Sequence, residues 1–141
     1  MKLYCFGESG HSYKAALALQ LSEIDWTPIF VDFFNGETRS EQYRNQINEM
    51  GEAPVLVDGD IKLTQSGVIQ NYLFSKTGKH GGRNEAEKLE ILRWVLWDNH
   101  KLSSFAGNTR FLMNFFPQDR RPQPVIDFNL ARLKGSYGIL E

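Results

Sequence analysis

The sequence predicts an α/β domain with the element order β-α-β-α-β-β-α, followed by an all-α segment. Three observations carry this. Residues 2–6 form a short β-like run, an alanine-rich helical stretch follows, and residues 26–34 return as a second strand. Val55-Leu56-Val57 and Ile61-Lys62-Leu63 flank the turn signal Asp58-Gly59 and read as a hairpin. Beyond Gly78 the apolar spacing is helical throughout. A helical crossover makes the first two strands parallel and right-handed, and the hairpin adds an antiparallel pair. The expected sheet is therefore four-stranded and mixed, with helices on both faces.

With 141 residues, 41% apolar and 23% charged, the chain has an ordinary globular composition and enough length to bury a core. The net charge of −1 gives no reason to expect nucleic acid or an anionic membrane as partner. Charge is unevenly divided: residues 1–78 hold 6 Lys/Arg against 10 Asp/Glu, net −4, and residues 79–141 hold 10 against 7, net +3. No apolar run is long enough for a bilayer, and Met1-Lys2-Leu3 enters a strand directly, with no signal-peptide pattern. Cys5 is the single cysteine, which excludes an intrachain disulfide. A cytoplasmic setting is expected.

In chain order, the first strand ends at Gly7, with Cys5 inside it as a small core residue. Glu8-Ser9-Gly10-His11-Ser12 is a polar loop, with Ser9 or Ser12 as N-cap of the next helix. Tyr13, Leu17 and Leu21, with Ala15, Ala16 and Ala18, give that helix its apolar face. Pro28 marks the second strand as an edge or bulge. Residues 38–47 are polar and suit a short helix. Thr64, Gln65 and Ser66 precede the apolar positions Val68, Ile69, Tyr72 and Leu73 of the third long helix, which Gly78 stops. Residues 78–84 read as a linker between a domain at 1–77 and a helical domain at 85–141. Asn84 and Glu87 form a capping box. The helix they open carries Leu89, Leu92, Trp94, Val95, Leu96 and Trp97, and is expected to continue, bent at Gly107, to Phe116. After a loop at 117–122, Pro124 suits the first turn of a last helix ending near Leu133. These helices do not obviously close a core, so a truncated domain or a partner is expected.

Two places carry chemistry. Ser9-Gly10-His11-Ser12 lies at a strand-to-helix junction where a redox protein of thioredoxin type would carry two cysteines. Serines there exclude dithiol exchange. They leave hydroxyls at a helix N-terminus, either as caps or as donors to an anion such as a thiolate. His11 reads as a solvated loop histidine. Ala53-Pro54 admits a trans proline opening a strand or a cis bond in a tight turn. His100 has no second ligand at metal-binding spacing, so no metal is expected.

Taken in order, Lys2-Leu3-Tyr4, Ser9-Gly10-His11-Ser12-Tyr13-Lys14, Glu52-Ala53-Pro54-Val55-Leu56-Val57-Asp58-Gly59 and Gln65-Ser66 resemble the N-terminal domain of cytosolic glutathione transferases, bacterial in type and with a serine active site. Residues 1–77 carry the likeness closely, and the stretch from Glu85 to His100 more loosely resembles the start of that family's C-terminal domain. The resemblance implies a thioredoxin-like fold, a cis Pro54, and glutathione as co-substrate. Ser9 would be the catalytic serine. Glutathione would lie against Ser9, Gly10, His11, Ala53, Pro54, Gln65, Ser66 and Arg39. The Ala53 backbone would pair with its cysteinyl part, while Gln65 and Ser66 would hold the γ-glutamyl end. Phe105, Thr109 and Phe111 are candidates for an interdomain pocket that takes a small hydrophobic electrophile. A homodimer is implied too, through the apolar fourth helix together with the third.

Two departures from the family pattern stand out. Glu52 replaces the glutamine or lysine found near the glycyl carboxylate, where an acid would repel unless Arg39, Arg44 or another cation compensates. Asn48-Glu49 stands where many relatives have Asn-Pro, a loop variation. The rival to the enzyme is a binding or scaffold protein with the same fold. A redox protein is the third reading, and it would need Cys5 as its reactive thiol.

Overall fold

The computed structural model describes residues 1–141 and divides into two compact units, Met1–Arg83 and Asn84–Glu141. In the first unit the order is β1 (Lys2–Cys5), α1 (Gly10–Leu21), β2 (Thr27–Phe30), a 3-10 turn at Glu37–Arg39, α2 (Glu41–Gln46), β3 (Val55–Asp58), β4 (Ile61–Thr64) and α3 (Ser66–Thr77). The strands form one sheet in the order β2-β1-β3-β4. β1 and β2 are parallel, with Leu3 opposite Pro28, and both β1–β3 and β3–β4 are antiparallel. This is a thioredoxin-like arrangement. Pro28 sits on the edge strand, where its missing N–H costs no ladder bond.

The core lies under α1 and α3. Leu3, Ala15, Ala18, Leu19, Leu56, Ile69 and Leu73 form one buried cluster, with Cys5, Trp26, Leu63 and Tyr72 packed at its margin. Pleating turns Val55 to the opposite face of the sheet from Leu56, and Val55, Val31 and Tyr43 are buried outside that cluster. The buried face of α1 is Ser12, Ala15, Ala18 and Leu19. The expected stripe of Tyr13, Leu17 and Leu21 is instead exposed, at 65%, 41% and 49%. Both faces repeat at helical spacing, and the sheet takes the one whose small alanines let the helix axis approach closely. Val68 of α3 is likewise exposed, while Ile69 and Leu73 are buried.

Local signals place the remaining boundaries. β2 is shorter than the apolar run suggests. The hairpin loop is Gly59-Asp60, one residue later than expected, because Asp58 pairs with Ile61 and the positive φ of +58° falls on Gly59. Gly78, at φ +68°, ends α3 in the left-handed conformation.

The second unit contains α4 (Glu85–Trp97), a π-helical turn at Asp98–Ser103, α5 (Ser104–Asn114), a 3-10 turn at Gln118–Arg120 and α6 (Gln123–Leu140). Asn84 caps α4 by accepting the Glu87 N–H at 2.9 Å. The irregularity in the long helix is the π turn and not Gly107, which lies inside α5. α6 also runs past Gly135 and Gly138 to Leu140, further than expected. Glycine lowers helix propensity by only about 1 kcal/mol, and the buried seam Ile126, Asn129, Leu133 and Ser136 continues through this stretch. α5 packs against α6, burying Thr109 and Leu112. α4 buries no residue, and Leu89, Leu92 and Leu96 are 65%, 51% and 59% exposed. No helix is long and apolar enough to cross a membrane.

One polar contact ties β3 to α3. The Asp58 carboxylate accepts from Lys76 Nζ and the Tyr72 hydroxyl, both at 2.6 Å. These two donors, Lys76 first, hold its carboxyl below the usual carboxylate range. The unfolded chain therefore takes up this proton first as pH falls, and the stabilisation is present at neutral pH and lost in acid. Asp58→Asn is expected to melt at a lower temperature than the parent at pH 7. The gap should close as pH falls below about 4, as read by thermal denaturation across pH.

Candidate functional site

The first unit has a cleft of about 310 Å³ lined by Phe6, Ser9, His11, Phe33, Glu52, Ala53, Pro54, Gln65 and Ser66. It opens where the N-termini of α1 and α3 meet the segment before β3. Of the expected glutathione contacts it gathers Ser9, His11, Ala53, Pro54, Gln65 and Ser66. Gly10 and Arg39 are not among its lining residues. The Arg39 guanidinium folds back over Gly36, where an added Cβ would meet Nη2 at 3.0 Å. Arg44 likewise lies against Gly51. In the second unit, Thr109 is 4% exposed, Phe105 packs edge-on to Phe128, and the 40%-exposed Phe111 sits beside Phe115 and Phe116.

Ser9 is the N-cap of α1. Its Oγ accepts the Ser12 N–H at 3.1 Å. Capping uses an acceptor lone pair and leaves the hydroxyl proton to be donated into the cleft, so the cap and the thiolate donor are compatible roles of one residue. No acidic side chain occupies the first turn of α1 to offset its N-terminal field. His11 is in that first turn and not in a loop, and its Nδ1 lies 3.1 Å from Ser66 Oγ. The imidazole thus links the N-terminal turns of α1 and α3, a contact between residues 55 positions apart that no local pattern reveals.

Ser66 begins α3, where its hydroxyl and the unsatisfied backbone N–H groups can receive a carboxylate. Gln65 precedes it at φ +65°, a left-handed conformation costing a non-glycine residue on the order of 1–3 kcal/mol. Its carbonyl accepts the Ile69 N–H at 3.0 Å, and its Nε2 donates to Glu52 Oε2 at 3.0 Å. Such a conformation at a helix start inside a cleft is characteristic of a ligand-binding position.

Ala53-Pro54 is cis. The Glu52 carbonyl just before it accepts both the Tyr43 hydroxyl, at 3.0 Å, and Asn48 Nδ2, at 2.9 Å. Asn48 is 1% exposed, and its Oδ1 accepts the Met50 N–H. Asn48 is therefore a buried clamp behind the cleft, while Glu49, the position that departs from the family pattern, is exposed. Burial chiefly, then the Glu37 charge and Tyr4, push the Tyr43 hydroxyl up to about 12, so it remains a donor at all ordinary pH. Neither residue was legible as a site support, because both act through a backbone carbonyl. Phe6 and Phe33, also unforeseen, stack at 4.6 Å and 5° as an aromatic wall of the cleft, with Phe34 edge-on to both.

Cys5 is half-buried against the core, and burial pushes its thiol up. That is the opposite of an activated thiolate. No group of three or more His, Cys, Asp or Glu side chains is placed to hold a metal ion.

A thioredoxin-like unit thus brings a hydroxyl at the first helix N-terminus, a cis-proline edge and the N-terminus of the third helix to one cleft. A family model described as the glutathione S-transferase N-terminal domain matches residues 1–75. The chain belongs to this family. Glutathione S-transferase F14 of Arabidopsis thaliana is 37% identical over 111 residues, covering 76% of this chain and 43% of the relative. The chain thus spans less than half the length of that protein. The crystal structure of glutathione transferase F2 from Populus trichocarpa superposes with a TM-score of 0.85 at 25% identity, covering 99% of this chain and 67% of the other. A glutathione transferase from Pseudomonas putida, crystallised with one glutathione disulfide per subunit, gives 0.85 at 20% identity, with 99% and 62% covered.

The clamp should show in stability. Tyr43→Phe is expected to cost about 1 kcal/mol, since Asn48 still serves the Glu52 carbonyl. Asn48→Ala, which also orphans the Met50 N–H, should cost about 2 kcal/mol. Both are measured by equilibrium denaturation in urea.

Proposed function

We propose that the chain binds glutathione in this cleft and activates its thiol for attack on a small hydrophobic electrophile, as a glutathione transferase. The observation that carries the reading is the convergence of Ser9, Ala53-Pro54 and Gln65-Ser66 on one cleft. In it, Ser66 and the start of α3 receive the γ-glutamyl carboxylate, the Ala53 backbone pairs with the cysteinyl residue, and the sulfur lies at Ser9. The Ser9 hydroxyl donates to sulfur, and the α1 N-terminus stabilises the negative charge. The thiol proton leaves to solvent. The thiolate then forms a carbon–sulfur bond as the electrophile releases its leaving group, or adds to a polarised double bond that afterwards takes a proton. Isomerisation or peroxide reduction would use the same thiolate. Phe6 and Phe33 supply apolar surface at the cleft for the electrophile. A cytoplasmic setting, where glutathione is held reduced, fits a chain with one cysteine.

Calorimetric titration with glutathione, repeated on Ser9→Ala, tests this. Both proteins should bind, but only the parent should lower the pKa of the bound thiol, followed by thiolate absorbance. Turnover of a halonitroarene should fall about 100-fold in the variant. A parent that shows no binding overturns the proposal.

We also propose a homodimer through α4, whose Leu89, Leu92 and Leu96 recur at the spacing of a two-helix seam and are exposed. Light scattering should give twice the chain mass, and Leu92→Glu should give the monomer.

A further inference from the structure

We infer that Glu52 is the charged acceptor for the α-ammonium group of a γ-glutamyl thiol, which makes the cleft a two-pole receptor for an amino-acid zwitterion. This rests on the glutathione reading above. It reverses the repulsive role expected of Glu52 from the sequence.

The γ-glutamyl end of such a peptide carries a carboxylate and an ammonium on the same carbon, so donor and acceptor poles must lie side by side. The donor pole is Ser66 at the start of the twelve-residue helix α3, with its Oγ held 3.1 Å from His11 Nδ1. The acceptor pole is the residue just before it, Gln65, together with Glu52. Gln65 Nε2 donates to Glu52 Oε2 at 3.0 Å and lies 3.6 Å from Met50 Sδ. This orients the amide so that its Nε2 is spent on Glu52 and its Oε1 remains an acceptor. A neutral amide oxygen alone cannot balance an ammonium charge, and the Glu52 carboxylate supplies the missing unit.

The position of Glu52 supports this. Its side chain reaches the γ-glutamyl end of the cleft, because its contact is with Gln65. Its backbone is pinned from behind by Tyr43 and Asn48. The two arginines that could have neutralised it lie elsewhere, Arg39 over Gly36 and Arg44 against Gly51, and neither forms an ion pair with it. Glu52 is thus a carboxylate lining the cleft, whose one hydrogen bond comes from the uncharged Gln65 amide and leaves its charge for an incoming ammonium.

The test is calorimetric titration of the full chain and of Glu52→Gln, each with glutathione and with the analogue lacking only the α-amino group. The parent is expected to bind glutathione about tenfold more tightly than the analogue. Glu52→Gln should lose most of that preference and bind glutathione about as weakly as the parent binds the analogue. Equal or tighter binding of glutathione by Glu52→Gln overturns the inference, as does a parent that does not distinguish the two ligands, and tighter binding also restores the repulsive role. A parent that binds neither ligand overturns the glutathione reading itself, a result separate from a parent that binds glutathione while the variant is unchanged.

Discussion

The close packing of α1 and α3 over β1 and β3 is the constraint on which the rest depends. Ala15 and Ala18 are small enough to bring α1 down onto Leu3 and Leu56, and Leu19 then meets Ile69 and Leu73. Once the two helices lie together, their N-termini lie together as well, and His11 joins Ser66 across that junction. The hydrophobic cluster therefore does more than stabilise the unit. It sets two partial positive charges beside each other at one rim of the sheet, an arrangement that favours an anion.

A second constraint comes from the buried polar groups on the other side of the cleft. Tyr43 and Asn48 together saturate the Glu52 carbonyl, so the backbone entering Ala53-Pro54 is fixed before any ligand arrives. A backbone segment held in this way has little left to order on binding, which favours the peptide pairing proposed above. The positive φ of Gln65 fits the same logic, because the start of α3 is held in a conformation that local preference opposes and the surrounding contacts impose.

The two units differ in how they use apolar residues. The first buries a compact cluster of aliphatic side chains. The second buries a narrow seam between α5 and α6 and leaves the leucines of α4 exposed. A stripe of leucines at regular helical spacing reads the same in sequence whether it faces a core or water. For that reason the apolar face of α1 was expected to hold Tyr13, Leu17 and Leu21 with Ala15, Ala16 and Ala18, and of these only Ala15 and Ala18 are buried, beside Ser12 and Leu19.

The sequence by itself determined the order of elements, the β1–β2 and hairpin pairings and the cap at Asn84, it narrowed the cap of α1 to Ser9 or Ser12, and through the family resemblance it grouped Ser9, Ala53-Pro54 and Gln65-Ser66 as the candidate site. The elements and caps rest on local patterns of period, turn residues and capping side chains, and the grouping of the site residues rests on the resemblance to the family. Only the tertiary structure decided which face of α1 is buried, that His11 reaches Ser66, that Arg39 lies over Gly36, and that Glu52 meets Gln65. Those depend on contacts between residues far apart in the chain, and on competition among faces and partners that are each locally acceptable. No pattern of neighbours along the chain encodes that competition.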